Sequence, residues 1–402
     1  MNRKFLIVFL YVYALAFSVI KTIRLPNQWS EAHWLMDYRF GFIKRGLAGE
    51  IFGFFFEKNL LNIQILSAVI LLLLYTALLI IAVRHTLQKY SIRKVLFYLV
   101  FFLSQYVVLS AHLIGYLDHL IFLLTILAVY LIRHKKVFLA SLLTVFCVVV
   151  HEISFFLMVP VCLFALLVYE MPGKTWVLSS EMFKKAGLFL FLPVVATLSV
   201  SFYQELYGKE NQQLIFHYLR STGFISRPVA KMISSAYTES FGTYLKQESR
   251  FFIDRLFFSR NTVKFGLPIL FVIWLACREF RKVNKYILLL LIAVSLFPLL
   301  LHAIAWDSFR IWAFPFMVLF LGFWIVSNRF SDVETPDEKL SWFEILLFIV
   351  SAVLVAVFQN TLFENEIERI PKLERCVLLL PVFITTAFLY LKKDPNKRIL
   401  RP

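Results

Sequence analysis

Charge is scarce in this sequence. Only 17% of its 402 residues are Asp, Glu, Lys or Arg, where an average soluble domain has about 25%. A surface so poorly supplied cannot keep 60% hydrophobic residues, at a mean hydropathy of +0.77, in water. A soluble globular protein is therefore excluded, and the lipid bilayer is left as the solvent for most of the chain. Glycine (12) and proline (13) are too few for a collagen-like or low-complexity chain. The four cysteines, Cys147, Cys162, Cys277 and Cys376, fall in or beside apolar runs and form no CxxC pair. That pattern excludes a disulfide scaffold and a thiolate metal site. Acids are scarcer than bases, 25 against 42, which leaves a net charge of +17. Such a balance fits either nucleic acid or the basic cytoplasmic loops of a membrane protein, so the position of the charges has to decide.

Long apolar runs are what the sequence does have. Crossing a hydrocarbon core of about 30 Å takes about 20 residues of helix. Runs between charge clusters place spans at 5–23, 64–83, 95–111, 119–132, 136–150, 153–169, 186–203, 265–277, 286–305, 311–327, 341–359 and 375–391. The fourth, fifth and eighth are short for a crossing, so they are expected to be extended, tilted or broken. Arg3 and Lys4 precede the first span, which puts the N-terminus inside, and an even count returns the C-terminus inside. On this topology the inner segments hold 23 of the 42 cations but only eight of the 25 acids. Nearly all of the net charge is then cytoplasmic, and nucleic acid is not needed to explain it. Ala14-Leu15-Ala16 resembles a signal-peptide cleavage site, but the apolar run continues through Ile20 and reads as an uncleaved anchor.

Two outer loops are long, 24–63 and 204–264, and long loops in compact proteins tend to carry function. The first mixes Trp, Tyr and Phe with charges, as helices lying in the membrane interface do, and Gly41, Gly46, Gly49 and Gly53 are expected to break it. The second alternates Phe251, Phe252, Phe257 and Phe258 with Arg250, Arg255, Arg260 and Lys264, again an interfacial pattern. No Pro-rich linker separates a soluble unit, so residues 1–402 read as a single transmembrane domain.

Ionisable residues at span ends are costly and are functional candidates by default. They gather on the outer side: Asp37 in the first loop, Asp118 and His119 before the fourth span, His151 and Glu152 before the sixth, and His302, Asp307 and Arg310 before the tenth. Each has a structural alternative. Asp37 could pair with His33 at i, i+4; Asp118 and Glu152 could cap the helices that follow; Asp307 and Arg310 could be an i, i+3 ion pair. No high-specificity motif is present. His151-Glu152 lacks the second His of a zinc protease, and there is no G-x-S-x-G, Walker loop, G-x-G-x-x-G or Asp-x-Asp. The cytoplasmic loops are too short to build an ATP-binding domain.

An outward cavity with carboxylates and cations, edged by aromatic interfacial helices, suits a substrate with a lipid tail and a phosphate, such as a polyprenyl-phosphate sugar. Transfer from it needs a base for the acceptor hydroxyl and cations for the departing phosphate. Asp37 is the first candidate base, with Glu152 and Asp118 as alternatives. Arg310 is the leading phosphate ligand, followed by Lys44, Arg45 and Arg39, with Asp307, His151 and His119 completing the substrate-binding set.

In topology the whole chain resembles the GT-C superfamily of membrane glycosyltransferases. Asp37 in WLMDYRFGFIKRG matches the acid of their first outer loop, although Tyr38 stands where a second acid is common. The resemblance implies an all-α, GT-C-like fold of about 12 spans with amphipathic helices in that loop. It also implies a glycan or lipid acceptor, a role in cell-surface glycan or glycolipid assembly, and a bacterial inner membrane with the site facing out. The chain is also similar to polysaccharide polymerases and ligases, for which Arg220, Arg227, Arg250 and Arg255 would be the matching outer-loop cations. A secondary transporter or lipid flippase, and an acyltransferase using His151 or His119, remain open. No cofactor is indicated with certainty, and a divalent metal stays open because several carboxylates converge.

Overall fold

The computed structural model describes residues 2–171, 179–331, 339–359 and 362–391. Lys174, Asp332, Glu334, Asp337, Glu338 and the charges from Lys392 onward, all assigned above to the inner side, lie outside the described residues. The described chain is all-helical. Its α-helices are α1 (Arg3–Ile20), α2 (Gln28–Leu35), α3 (Gly46–Phe55), α4 (Leu60–Gln88), α5 (Ile92–Leu103), α6 (Gln105–His112), α7 (Leu117–Arg133), α8 (Val137–Val150) and α9 (Ser154–Glu170). They continue as α10 (Ser180–Tyr207), α11 (Gln212–Ser221), α12 (Arg227–Thr238), α13 (Phe241–Glu248), α14 (Arg260–Glu279), α15 (Lys285–Leu296), α16 (Ser308–Arg329), α17 (Trp342–Ala356) and α18 (Lys372–Leu391).

Helix falls on all twelve predicted runs, and among the described residues eight stretches could by length and composition cross a membrane: Arg3–Ile20, Leu60–Gln88, Ile92–His112, Ser180–Ser221, Arg260–Glu279, Lys285–Ala303, Ser308–Arg329 and Lys372–Leu391. Val137–Val150, Ser154–Glu170 and Trp342–Ala356 are apolar but shorter. Their ends are cut by tight connections such as His151–Ile153. The run 95–111 is broken at Ser104, whose extended backbone ends α5 and starts α6. Polar caps fix several starts. Asn2 accepts from the Lys4 amide at 3.0 Å and Asn59 from the Asn62 amide at 2.9 Å, while Ser341 and Glu344 form a reciprocal capping box on α17.

The centre of the bundle is aromatic. α5 and α6 are buried all round and α16 nearly so, with Phe97 stacked on Phe323 at 3.9 Å and Phe101 against Phe320 at 4.5 Å. α4, α10 and α18 leave Leu72, Phe191, Phe202 and Ile384 exposed around it, as lipid-facing helices do. At one end of the bundle Arg93 meets Glu344 at 2.7 Å and Ser91 meets Glu279 at 2.7 Å. At the other end the two long loops pack on each other.

The glycines of the first loop behave differently from expectation. Gly41 does break the chain, with φ of +80°. Gly46, Gly49 and Gly53 instead belong to one helix, α3. A Cβ on Gly49 would stand 2.0 Å from the Met36 carbonyl oxygen, so this glycine lets α3 press against the end of α2. In the second loop, Phe257 and Phe258 are exposed on a short π-helical turn, Asp254–Phe258, which agrees with the interfacial pattern.

Candidate functional site

A cavity of about 460 Å³ lies where the long loops meet the helix ends. Its walls come from α2, α10, α12, α13, the starts of α9 and α16, and the connections before α3, α7, α9, α16 and α18. Most of the lining is apolar or aromatic. Six of the ten candidate residues enter it: Lys44, Arg45, His151, Glu152, Asp307 and Arg310.

Arg45 precedes α3 in the left-handed region, with φ of +64°, which costs a non-glycine residue about 1–2 kcal/mol. Its guanidinium forks onto Glu152, with Nε 3.1 Å and 2.9 Å from the two carboxylate oxygens and Nη2 bonded to Oε1. A bidentate, charge-assisted contact of this kind offsets the backbone cost. Burial alone would raise the Glu152 pKa, but Arg45 and His151 outweigh it and hold the carboxyl well below the usual range. Glu152 therefore does not cap α9; it pairs across the chain with Arg45 and approaches His151 Nδ1 at 3.2 Å. Lys44 donates from Nζ to the Glu239 carbonyl at 2.8 Å and lies 4.9 Å from the Tyr244 ring. Burial lowers its pKa to about 8, against the opposing charge of Glu152.

The second charged group comes from α16. Asp307 caps that helix by accepting from the Arg310 amide at 3.3 Å. Arg310 takes its closer carboxylate from Asp118, at 3.0 Å, while Asp307 is 3.7 Å away. The expected Asp307–Arg310 pair is thus the weaker arm of a triad, and Asp118 braces α7 against α16 from behind the cavity instead of capping α7. Burial raises the Asp307 pKa above its ordinary 3.8, with Arg310 opposing.

Between the two groups lies His33, whose Nδ1 is 2.6 Å from the Tyr237 hydroxyl and whose ring is 6.2 Å from that of His151. Burial, then the charge of Arg45, pushes the pKa of His33 well down, so it sits there as neutral imidazole. His151 is lowered by the same two causes.

The remaining candidates lie elsewhere. α2 ends at Leu35, so Asp37 is off the helix and cannot pair with His33; it caps the 3₁₀ turn Tyr38–Phe40. Arg39 holds it at 2.8 Å and Lys58 Nζ bonds its other oxygen. Burial raises the pKa of Asp37, but these hydrogen bonds outweigh that and lower it. Neither Asp37 nor Arg39 lines the cavity. His119 donates from Nε2 to the Leu113 carbonyl at 3.0 Å, a contact that holds the turn before α7. His302 is buried beside Trp312, with ring centroids 5.9 Å apart, and does not line the cavity. Arg220 and Arg250 bond to carbonyls of their own loop, Ile225 and Gln247, while Arg255 pairs with Glu248 and also donates to the His302 and Ala305 carbonyls before α16; with Arg227, all three are absent from the lining.

Composition and spacing missed His33 as a cavity residue, together with Tyr244, Gln204, Trp306 and Phe363. Trp306, next to Asp307, was the one with a local signal. Among the described residues, no group of three or more His, Cys, Asp or Glu side chains is placed to hold a metal ion. The chain matches no family profile, no curated protein and no solved structure.

Proposed function

We propose that this chain is a GT-C-like membrane glycosyltransferase. In this reading it moves a sugar from a polyprenyl-phosphate donor to a glycan or lipid acceptor, at the outer ends of about twelve spans in a bacterial inner membrane. One observation carries the reading: three cations (Lys44, Arg45, Arg310) and two carboxylates (Glu152, Asp307) converge on one aromatic-walled cavity at one end of the bundle. A transporter would be expected to place such groups near the midplane. Leu198 on α10 lines the cavity and is still 63% exposed on a lipid-facing helix, which gives a lipid tail a way in from the side.

The chemistry follows from the charges. The acceptor hydroxyl oxygen attacks the anomeric carbon, the bond from that carbon to the phosphate oxygen breaks, and the electron pair leaves on the lipid phosphate. Lys44, Arg45 and Arg310 stabilise that developing charge in a site with little water. Phosphate competes with Glu152 for the Arg45 fork, since both are planar-edge acceptors for guanidinium. The proton of the hydroxyl goes to Asp307. This carboxylate is the more basic of the two in the cavity, being raised by burial where Glu152 is held low by Arg45. The base role assigned from sequence to Asp37 thus moves to Asp307, because Asp37 is neutralised by Arg39 and Lys58 away from the cavity.

The test is complementation of a deletion strain with Asp307→Asn, Arg45→Gln and Asp37→Asn, reading surface glycans by mass at matched protein levels. Asp307→Asn and Arg45→Gln are expected to reduce the glycan by about 100-fold or more, the usual scale of one acid–base or charge-stabilising group. Asp37→Asn is expected to retain it. Unchanged glycans in all three would end the glycosyl-transfer reading.

A further inference from the structure

A phosphate site and a base do not by themselves hold a sugar, and a second feature of the same cavity bears on that. Four aromatic rings from four separate stretches of chain meet on one side of it. Phe363 is their hub, with its ring centroid 6.1 Å from Trp29, 6.3 Å from Tyr116 and 6.0 Å from Trp306, and all four rings line the cavity. Two of these contacts are edge-on, at 88° and 74°, whereas Trp306 and Phe363 lie only 32° from parallel.

Phe363 belongs to the connection between α17 and α18, and that connection is tied down on several sides. Arg24 bonds Glu364 at 2.9 Å and Glu366 at 2.5 Å; His112 Nε2 is 3.2 Å from the Phe363 carbonyl; the Arg369 amide donates to the Lys21 carbonyl at 2.9 Å. Glu368 pairs with Arg375 behind it. The ring is held in position before any ligand arrives, so little ordering cost falls on binding.

A ring cluster that served only to close the fold would bury its members. Trp306 instead keeps 51% of its surface exposed, and its neighbours at the cavity are Asp307 and Arg310, the latter 5.4 Å over the Tyr116 ring. An exposed flat aromatic surface flanked by a carboxylate and a guanidinium has the two faces of a pyranose in mind. The sugar's C–H face is apolar with positively polarised hydrogens, which suits the negative face of an aromatic ring, and its hydroxyl rim needs hydrogen-bond partners.

We propose that Trp306 and Phe363 form a stacking platform for the pyranose ring of the substrate, with Asp307 at its hydroxyl rim. This rests on the glycosyl-transfer reading above and adds to it the residues that would set sugar selectivity. The competing role for Trp306 is an anchor at the membrane interface. An anchor affects insertion, not the difference between a lipid with a sugar and the same lipid without one.

The experiment measures binding to the full chain in nanodiscs, with farnesyl phosphate and farnesyl-phosphate-linked glucose and mannose as probes. Variants are Trp306→Leu, Phe363→Leu and the ring-preserving Trp306→Phe, each checked for a wild-type elution profile. Wild type is expected to bind a sugar-linked lipid more tightly than farnesyl phosphate. The two Leu variants are expected to lose about tenfold for the sugar-linked lipid, the scale of one aromatic contact, with farnesyl phosphate changed by less than about twofold. Trp306→Phe is expected to keep most of the preference. Equal losses for both probes, or no loss for either, would overturn the platform while leaving the phosphate site standing. A wild type that binds neither probe would overturn the glycosyl-transfer reading itself, and the platform with it.

Discussion

Lys44 and Asp307 are placed to set opposite limbs of a pH profile. In the proposed mechanism Asp307 accepts a proton and must be ionised, and burial raises its pKa above the ordinary 3.8 despite Arg310. Activity should therefore fall, as pH drops, at a higher pH than for an unperturbed aspartate. Lys44 must be protonated to meet a phosphate, and burial lowers its pKa to about 8 despite Glu152. Activity should then decline as pH rises through about 8. Lys44→Arg should remove that basic limb, since a guanidinium stays charged throughout the range. Glycosyl transfer by the reconstituted protein, measured against pH, checks both, and a wild type that is flat between about pH 7 and 9 would deny Lys44 the role. At this scale the sequence was partly legible. Tight turns between apolar helices leave their polar residues at a common end, which is why Glu152, Asp307 and Arg310 could be gathered in advance. The surroundings of Asp37 were not legible, because nothing in QWSEAHWLMDYRF marks the helix end at Leu35, and Lys58, which pairs with Asp37, is 21 residues further on. Tyr237, the partner of His33, is 204 residues away and carries no local signal at all.

Elements show where residue types stop being informative. Glycines in a loop read as breaks, yet Gly49 lies within α3 at a close approach to α2, while Gly187 lies within α10 with nothing inside 4 Å of its would-be Cβ. The same added methyl should thus have opposite effects. Gly49→Ala puts a carbon 2.0 Å from the Met36 carbonyl and 2.8 Å from that of Trp34, which α3 can relieve only by moving off α2. Overpacking of this kind costs about 1–3 kcal/mol. Gly187→Ala meets open space in a helix interior and should stabilise by up to about 1 kcal/mol. Thermal unfolding in detergent separates them, and a Gly49→Ala protein as stable as wild type would mean that α3 is not pressed on α2. Helix existence was legible throughout, since a charge at mid-bilayer is expensive enough to bound every run. The break at Ser104 was not, because no glycine, proline or charge marks it, and the two pieces are distinguished only by an extended Ser104 backbone.

At the scale of the molecule the two ends of the bundle differ in kind. One carries the charged cavity under loops 24–59 and 208–259, and the other carries Arg93, Glu344, Ser91 and Glu279 with the basic connections. On the proposed topology, which follows the positive-inside rule, the second end is cytoplasmic and the cavity faces outward. The 20-residue helix α14 links the two sides, with exposed Lys209 in the loops before it and exposed Lys282 just after it. At 1.5 Å per residue that helix is about 30 Å long, the thickness of the hydrocarbon core. Lys209→Cys and Lys282→Cys, each in a background with Cys147, Cys162, Cys277 and Cys376 replaced by Ala, should therefore report opposite sides. On intact cells a membrane-impermeant maleimide is expected to label the cysteine at 209 and to reach the one at 282 only after permeabilisation. The reverse pattern would turn the cavity toward the cytoplasm and remove the argument for an outward-facing, lipid-linked donor. Labelling of both from outside would mean that α14 does not cross, and the span count would then have to be rebuilt from the remaining helices.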